Sequence, residues 1–491
     1  MVKRRDFIKI SGLAGAGFFL HQNSFAFGFD DFISKRPPLD KRHFTSTAVE
    51  ETIALMKKNI TSKELAWLFE NCFPNTLDTT VYYSEENGVP DTYIITGDID
   101  AMWMRDSTAQ VWPYLSLINK EEKLKRLVEG VIRRQTNYIH HDPYANAFYK
   151  DDKHVSEWKS DRTEMKPGVH ERKWEIDSLC YPIRLAHAYW KKTGDTKPFD
   201  EHWKAAIALV VKTFKEQQRK ENKGPYKFQR NTTQPLDTLT LGGYGNPVKP
   251  VGLICSSFRP SDDATTFSFL IPSNFFAVIS LRQAAEMLTT IHKNTELAKE
   301  CTDLANEVDA ALKQYAVVTH PTHGKIYAFE TDGFGNYLFM DDANVPSLLS
   351  MPYLGSVPAT DPVYQNTRKF ILSSSNPYFF KGKYAEGIGG PHVALDMIWP
   401  LSIIMRGLTS SNDSEIQTCL RMLVKTHGDT GFMHESFHKD DPKHFTRSWF
   451  AWANTIFGEL VLQIHQTKPH LFVRSFELAK PGNNTQQVNK Q

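Results

Sequence analysis

The sequence predicts an all-α protein, a toroid of paired helices with a few short strands in its loops. Three observations carry that prediction. Helical periodicity recurs along the whole chain in about a dozen segments of about 10–22 residues, separated by Gly, Pro, Asn and Asp. Alternating strand patterns are few and short. No βαβ alternation, glycine-rich phosphate loop or Pro/Ser-rich linker divides the chain, which argues against a doubly wound sheet and for one large domain.

In chain order the periodic segments are residues 48–59, 62–71, 102–118, 121–138, 175–192, 198–219, 272–290, 295–315, 363–372, 392–408, 414–426 and 448–466. The segment from 102 begins amid the charges of "GDIDAMWMRDS", where Asp100 suits a helix cap. The segment from 175 carries Glu175 and Asp177 in its first turn, where the helix dipole favours acids. Strand alternation is confined to residues 79–83, 92–96 and 325–329. Twelve helices in one domain of about 430 residues fit an inner and an outer ring better than a small bundle. In such a ring the loops at one end converge on a central pocket, so the polar and aromatic stretches between helices are where chemistry is sought.

The 58 Lys+Arg against 56 Asp+Glu are interspersed, leaving no basic surplus for a polyanion, and nucleic acid is excluded as a partner. Aromatics at 12%, with ten Trp, provide a large core or stacking faces for sugar rings. Five cysteines, widely spaced and without a CxxC pair, write neither a disulfide framework nor a zinc knuckle. The N-terminus "MVKRRDFIKISGLAGAGFFLHQNSFAFG" has a basic start, a short apolar run and a small-x-small site at Ser24 to Ala26. It reads as an export signal of the twin-arginine type over residues 1–26, too short to anchor in a membrane. Export to the periplasm without membrane insertion after signal removal is the expectation, and a polar tail fills residues 480–491.

Four stretches crowd chemistry-bearing residues. Asp98, Arg105 and Asp106 lie in "GDIDAMWMRDSTAQVW", where Arg and Asp suit either internal pairing or two-point binding of vicinal sugar hydroxyls. Trp174, Glu175 and Asp177 in "KWEIDSLCYP" combine helix-capping acids with a candidate stacking ring. "FRPSDDATTFSF" places Asp262 beside Asp263, after Arg259; adjacent side chains diverge, so only one is expected in a pocket. His434-Glu435-Ser436-Phe437-His438 matches the HExxH pattern of zinc peptidases. Gly431 upstream and Pro442 downstream make that stretch a loop, where residues four apart need not converge, so Glu435 stands out as a lone carboxylate among aromatics. Glu330, Asp332, Asp341, Asp342 and Asn344 offer oxygens for a cation but lack EF-hand spacing, and "GIGGPH" leads into His392.

Taken together, "DIDAMWMRDS", "WEIDSLCYP", "GLICSSFRPSDDATTFSFLIPSN", "DDANVPSLLSMPYLG", "GIGGPH" with "IWPLS", and "GFMHESFHKDDP" with "RSWFAWANTIFGEL" resemble glycoside hydrolase family 125, the metal-independent exo-α-1,6-mannosidases. The resemblance covers residues 40–470 with the motifs in order. It implies an (α/α)6 barrel, no cofactor, an α-mannoside oligosaccharide as substrate, and removal of the non-reducing terminal α-1,6-linked mannose with inversion. It further implies an acid from the Asp262–Asp263 pair, with Asp262 preferred, and Glu435 as base, since inversion needs an acid and a water-activating base on opposite faces of the sugar. Arg105, Asp106, Glu175 and His392 match motif positions expected near the mannose. Two competing readings, a zinc peptidase and a non-catalytic glycan-binding toroid, predict respectively chelator sensitivity and binding without turnover.

Overall fold

Helix starts fall into two kinds. Ser46, Ser62, Asp200, Asn294, Asp361 and Asn412 each accept the backbone N–H three residues on, satisfying a donor left free at a helix start. They open α1 (Thr47–Asn59), α2 (Lys63–Cys72), α7 (Glu201–Gln217), α9 (Thr295–Tyr315), α10 (Pro362–Ile371) and α12 (Asp413–Lys425). The remaining helices have no side-chain cap: α3 (Asn75–Thr79), α4 (Met104–Val111), α5 (Glu122–His141), α6 (Asp177–Thr193), α8 (Ile271–Met287), α11 (Pro400–Leu408) and α13 (Ala451–Thr467). These assignments come from a computed structural model that describes residues 32–472, so the expected export signal and polar tail lie outside the described residues.

Every helix of the inner ring is of the second kind. Helix α13 packs on α4, α4 on α6, α6 on α8, and α11 on α13. Between α8 and α11 the ring is completed by residues 345–355, a run of turns rather than a helix because Pro346 and Pro352 interrupt it. The Tyr181 hydroxyl of α6 donates to the Val345 carbonyl, and that of Tyr364 in α10 to the Leu349 carbonyl. Asp341 accepts the Leu348 and Leu349 N–H groups at 2.8 and 3.0 Å. Outer and inner segments therefore alternate along the chain as α2/α4, α5/α6, α7/α8, α9/345–355, α10/α11 and α12/α13. This is an (α/α)6 barrel.

All twelve expected helical segments contain a helix, with shifted ends. The one expected from residue 392 begins only at Pro400, and the one expected over 102–118 closes into a 3-10 turn at Trp112–Ser116, where Pro113 ends the α-helical bonding. Strands are more numerous than the sequence predicts, fifteen among the described residues, most of them two to four residues long. The three expected correspond to Val81–Glu86, Val89–Ile94 and Gly324–Tyr327. Three of the others, Met102–Trp103, Phe269–Leu270 and Met397–Ile398, immediately precede the inner helices α4, α8 and α11, and each belongs to a three-stranded sheet that fixes the loop leading into its helix. Among the described residues no helix is long and apolar enough to cross a membrane.

The Val81–Glu86/Val89–Ile94 hairpin carries the chain into the loop at Thr96 to Asp98 and rests against α5. The contact is close because Gly130 lies there: a Cβ on it would sit 2.9 Å from the Thr92 backbone nitrogen. Gly130→Ala therefore lowers Tm in a thermal melt, the overpacking cost of about 1–3 kcal/mol outweighing a helix-propensity gain of roughly 1 kcal/mol.

Candidate active site

The Phe258–Ala264 stretch closes on itself. The Arg259 N–H donates to the Asp263 carbonyl at 2.7 Å and the Asp262 N–H to the Arg259 carbonyl at 2.8 Å, with Asp262 at φ 67° in the left-handed region. Asp262 and Asp263 consequently point apart. Asp262 Oδ1 lies 3.5 Å from Arg105 Nη2 and 3.4 Å from Asn146 Nδ2, while Lys173 Nζ donates to the Asp262 carbonyl at 2.9 Å. Asp263 Oδ1 lies 3.1 Å from His392 Nδ1. Arg259 secures the loop from behind: its Nε donates to Glu330 Oε1 at 2.6 Å, and Glu330 Oε2 takes the Thr266 and Phe267 N–H groups.

Arg105, in the first turn of α4, is the hub of the acidic side. Its Nη1 donates to Glu175 Oε2 at 2.7 Å and to Asp177 Oδ2 at 3.1 Å, and its Nε is 3.5 Å from Asp106 Oδ2. Asp106 also accepts the Thr96 hydroxyl at 2.7 Å. Four carboxylates thus surround one buried guanidinium. Burial raises the proton affinity of Glu175, Asp177 and Asp106, and Arg105 offsets this only in part. Such a cluster retains protons, which suits a group that must donate one.

Glu435 sits in the opposite electrostatic setting. Its Oε2 accepts the Thr446 hydroxyl at 3.0 Å and its Oε1 is 3.5 Å from Arg447 Nη1. Arg447 is itself held by the Thr96 carbonyl at 3.0 Å and by Asp98, and its guanidinium lies over the Phe450 ring. A hydroxyl donor and a cation favour the ionised carboxylate, the form a base needs. The HExxH helix is absent. His434 precedes, and His438 lies in, the short strand Phe437–His438. The buried His434 ring stacks on Phe445 and donates from Nδ1 to the Arg447 carbonyl at 2.9 Å, and burial pulls its pKa down to about 4. His438 stacks instead on His444, so the two imidazoles do not share the helix face a zinc site of this pattern requires.

One pocket, with about 360 Å³ of space including its open mouth, joins the two sides. It is lined by five expected residues: Arg105, Asp106, Asp262, His392 and Glu435. Thr96, Trp103, Pro260, Ser261, Asn344, Trp399, Arg447, Phe450 and Trp452 complete it. Other expected site residues stand outside that lining. Asp263 backs His392, Glu175 and Asp177 lie behind Arg105, Arg259 is committed to Glu330, and Asp98 is a half-exposed partner of Arg447. The expectation that Trp174 offers a stacking face needs correction. Its ring is fully buried, packs edge-on against Tyr144, and spends its N–H on the Cys255 carbonyl at 2.7 Å.

The aromatic walls were missed in the sequence, although a signal exists. Trp103, Trp399 and Phe450 occupy the N-cap positions of α4, α11 and α13, where Ser, Asp or Asn is usual, so an aromatic just before a helix marks a start built for the pocket. The acidic run after Phe329 is consumed internally. Asp332 caps the Phe334 and Asn336 N–H groups, Asp342 accepts from Ser261 and Asn344, and no His/Cys/Asp/Glu group suited to a metal is found among the described residues.

Comparison with known proteins agrees with this fold. The chain is 42% identical over 459 residues to the Meiotically up-regulated gene 157 protein of Schizosaccharomyces pombe (strain 972 / ATCC 24843), covering 90% of each. It is 41% identical, with a TM-score of 0.84, to a metal-independent alpha mannosidase from Streptococcus pneumoniae solved in a non-productive substrate complex with alpha-1,6-mannobiose, covering 87% of this chain and all of that one. Residues 62–462 match the family described as metal-independent alpha-mannosidase (GH125), and the chain belongs to that family, glycoside hydrolase family 125.

Proposed function

We infer that the protein removes the non-reducing terminal mannose of an α-1,6-linked mannoside with inversion, Asp262 acting as general acid and Glu435 as general base. The observation that carries this reading is that these two carboxyls line one pocket, Asp262 among the buried acids around Arg105 and Glu435 between the Thr446 hydroxyl and Arg447. The linkage is supported by the mannobiose held by the Streptococcus pneumoniae relative. Exo action suits a pocket walled by Trp103, Trp399, Phe450 and Trp452, in which Arg105, Asp106, Asn344 and His392 meet the hydroxyls.

The steps follow from the placement. Asp262 gives its proton to the glycosidic oxygen as the bond from that oxygen to C1 breaks, and the bond's electron pair leaves with the aglycone. Glu435 takes a proton from water as the water oxygen bonds C1 from the opposite face. Proton NMR of α-1,6-mannobiose digestion tests the reading. β-Mannose appears first and mutarotates to the equilibrium mixture, whereas first release of the α-anomer, or no release, refutes it.

Asp263 in this reading orients His392 and does not touch substrate. Asp263→Asn weakens one hydrogen bond that fixes the imidazole, a loss of about 0.5–1.5 kcal/mol. Steady-state kinetics then show KM raised about two- to twelvefold, with a smaller change in kcat.

A further inference from the structure

Resting on the assignment of Asp262 as acid, we propose that Glu175, buried behind Arg105, is a positioning residue that stores the one proton it shares with Asp262 and passes it to that acid. The geometry gathers the two carboxyls around one guanidinium. Arg105 donates from Nη1 to Glu175 Oε2 at 2.7 Å and reaches Asp262 Oδ1 from Nη2 at 3.5 Å, so one guanidinium spans both. Glu175 Oε2 also receives the Ser178 hydroxyl at 3.1 Å. Its Oε1 is buried and receives no N–H or O–H from any other described residue. With that oxygen lacking a donor and the charge of Asp262 acting on Glu175, one hydrogen held between the two carboxyls relieves both.

The surroundings keep that proton in place. Glu175 faces Arg105, Asp177 and Asp262. Asp262 faces Arg105, Glu175 and the Asn146 amide, with Asp106 across Arg105 and Lys173 on its carbonyl. Lys173 is itself shared with Glu171 and Asp237. Carboxylates outnumber the cations, so ionising every acid in this dry cluster is costly. Burial, followed by the charges of Asp262 and Asp177, drives the Glu175 carboxyl well above its ordinary range against the pull of Arg105.

The exchange balances without a further reactant. When Asp262 protonates the leaving oxygen, its O–H bond breaks and the electron pair stays on the carboxylate. That proton is the one the pair shares: it passes from Glu175 to Asp262 before the transfer, so that afterwards both carboxylates are charged against Arg105. Solvent water restores the missing proton after the product leaves, while Glu435 returns to solvent the one it took.

The test is the pH profile of kcat/KM for Glu175→Gln on α-1,6-mannobiose and on α-mannosyl fluoride, whose leaving group needs no proton, with Asp262→Asn measured in parallel. Glutamine fills the same volume and bonds Arg105 but stores no proton. The alkaline limb on mannobiose is expected to move acidward by about one pH unit, with a roughly tenfold slower rate above it, an unmoved acidic limb and far less loss on the fluoride. An alkaline limb that stays put, or equal loss on both substrates, overturns the proposal. If the variant does not fold, the wild-type profile decides: an alkaline limb at the ordinary carboxyl value of about 4 overturns the proposal, and one near neutrality supports it. Should Asp262→Asn keep its mannobiose rate, the assignment of the acid itself fails. Loss there with an unmoved limb in Glu175→Gln sinks the proton store alone.

Discussion

Glu435→Gln leaves a folded protein whose kcat on α-1,6-mannobiose is down about 10²–10⁴-fold, or about 2.7–5.4 kcal/mol in the barrier. The side chain keeps its volume, and its amide oxygen still accepts the Thr446 hydroxyl. Arg447 keeps the Thr96 carbonyl and Asp98, so no buried cation is stranded and the melting temperature holds. What disappears is the negative charge that takes a proton from water, and binding of the disaccharide, followed by calorimetry, changes little. The shorter Glu435→Ala leaves room for azide, an anion that attacks C1 without giving up a proton. Turnover restored by azide, with β-mannosyl azide as product, places Glu435 on the water side of the sugar. An α-azide product places it on the leaving-group side, and full activity in either variant removes it from the chemistry.

How far the sequence reached depended on the length scale of each signal. Amphipathic helices of ten or more residues repeat their pattern several times, so every expected segment contains a helix, and the largest end shifts fall at Pro113 and Pro400. A strand of two residues such as Met102–Trp103 has no period to read, and the sixth inner segment carries turns that no helical pattern announces. Within the site, residue types were legible and directions were not. The divergence of Asp262 and Asp263 was expected from adjacency, but which one enters the pocket depends on a single left-handed residue closing the Arg259 to Asp263 turn. Trp174 beside Glu175 looks the same in sequence whether its ring faces a sugar or the core, and burial against Tyr144 put it in the core. The His434 to His438 pattern dissolved for a backbone reason, since strand geometry lacks the one-turn spacing that would align the two rings.

Asp262→Asn is the sharper test of the acid because the backbone tolerates it. Residue 262 lies at φ 67°, where asparagine is among the few non-glycine residues that rest without much strain, whereas alanine or leucine would distort the turn that also holds Asp263. Removing one carboxyl from the crowd around Arg105 leaves three to balance it, so the melting temperature of Asp262→Asn holds or rises. Loss of activity then reports chemistry and not unfolding. On α-1,6-mannobiose kcat falls about 10²–10⁴-fold, since the amide has no proton to yield to the leaving oxygen, while α-mannosyl fluoride, whose leaving group departs unaided, loses far less. The alkaline limb of the pH profile disappears with the acid that produced it. In Asp263→Asn that limb stays, because the turn sends Asp263 to His392 and away from the glycosidic oxygen. A reversed outcome, with Asp263→Asn losing the limb and Asp262→Asn retaining it, would transfer the acid to the neighbouring residue and show that substrate binding rebuilds the turn.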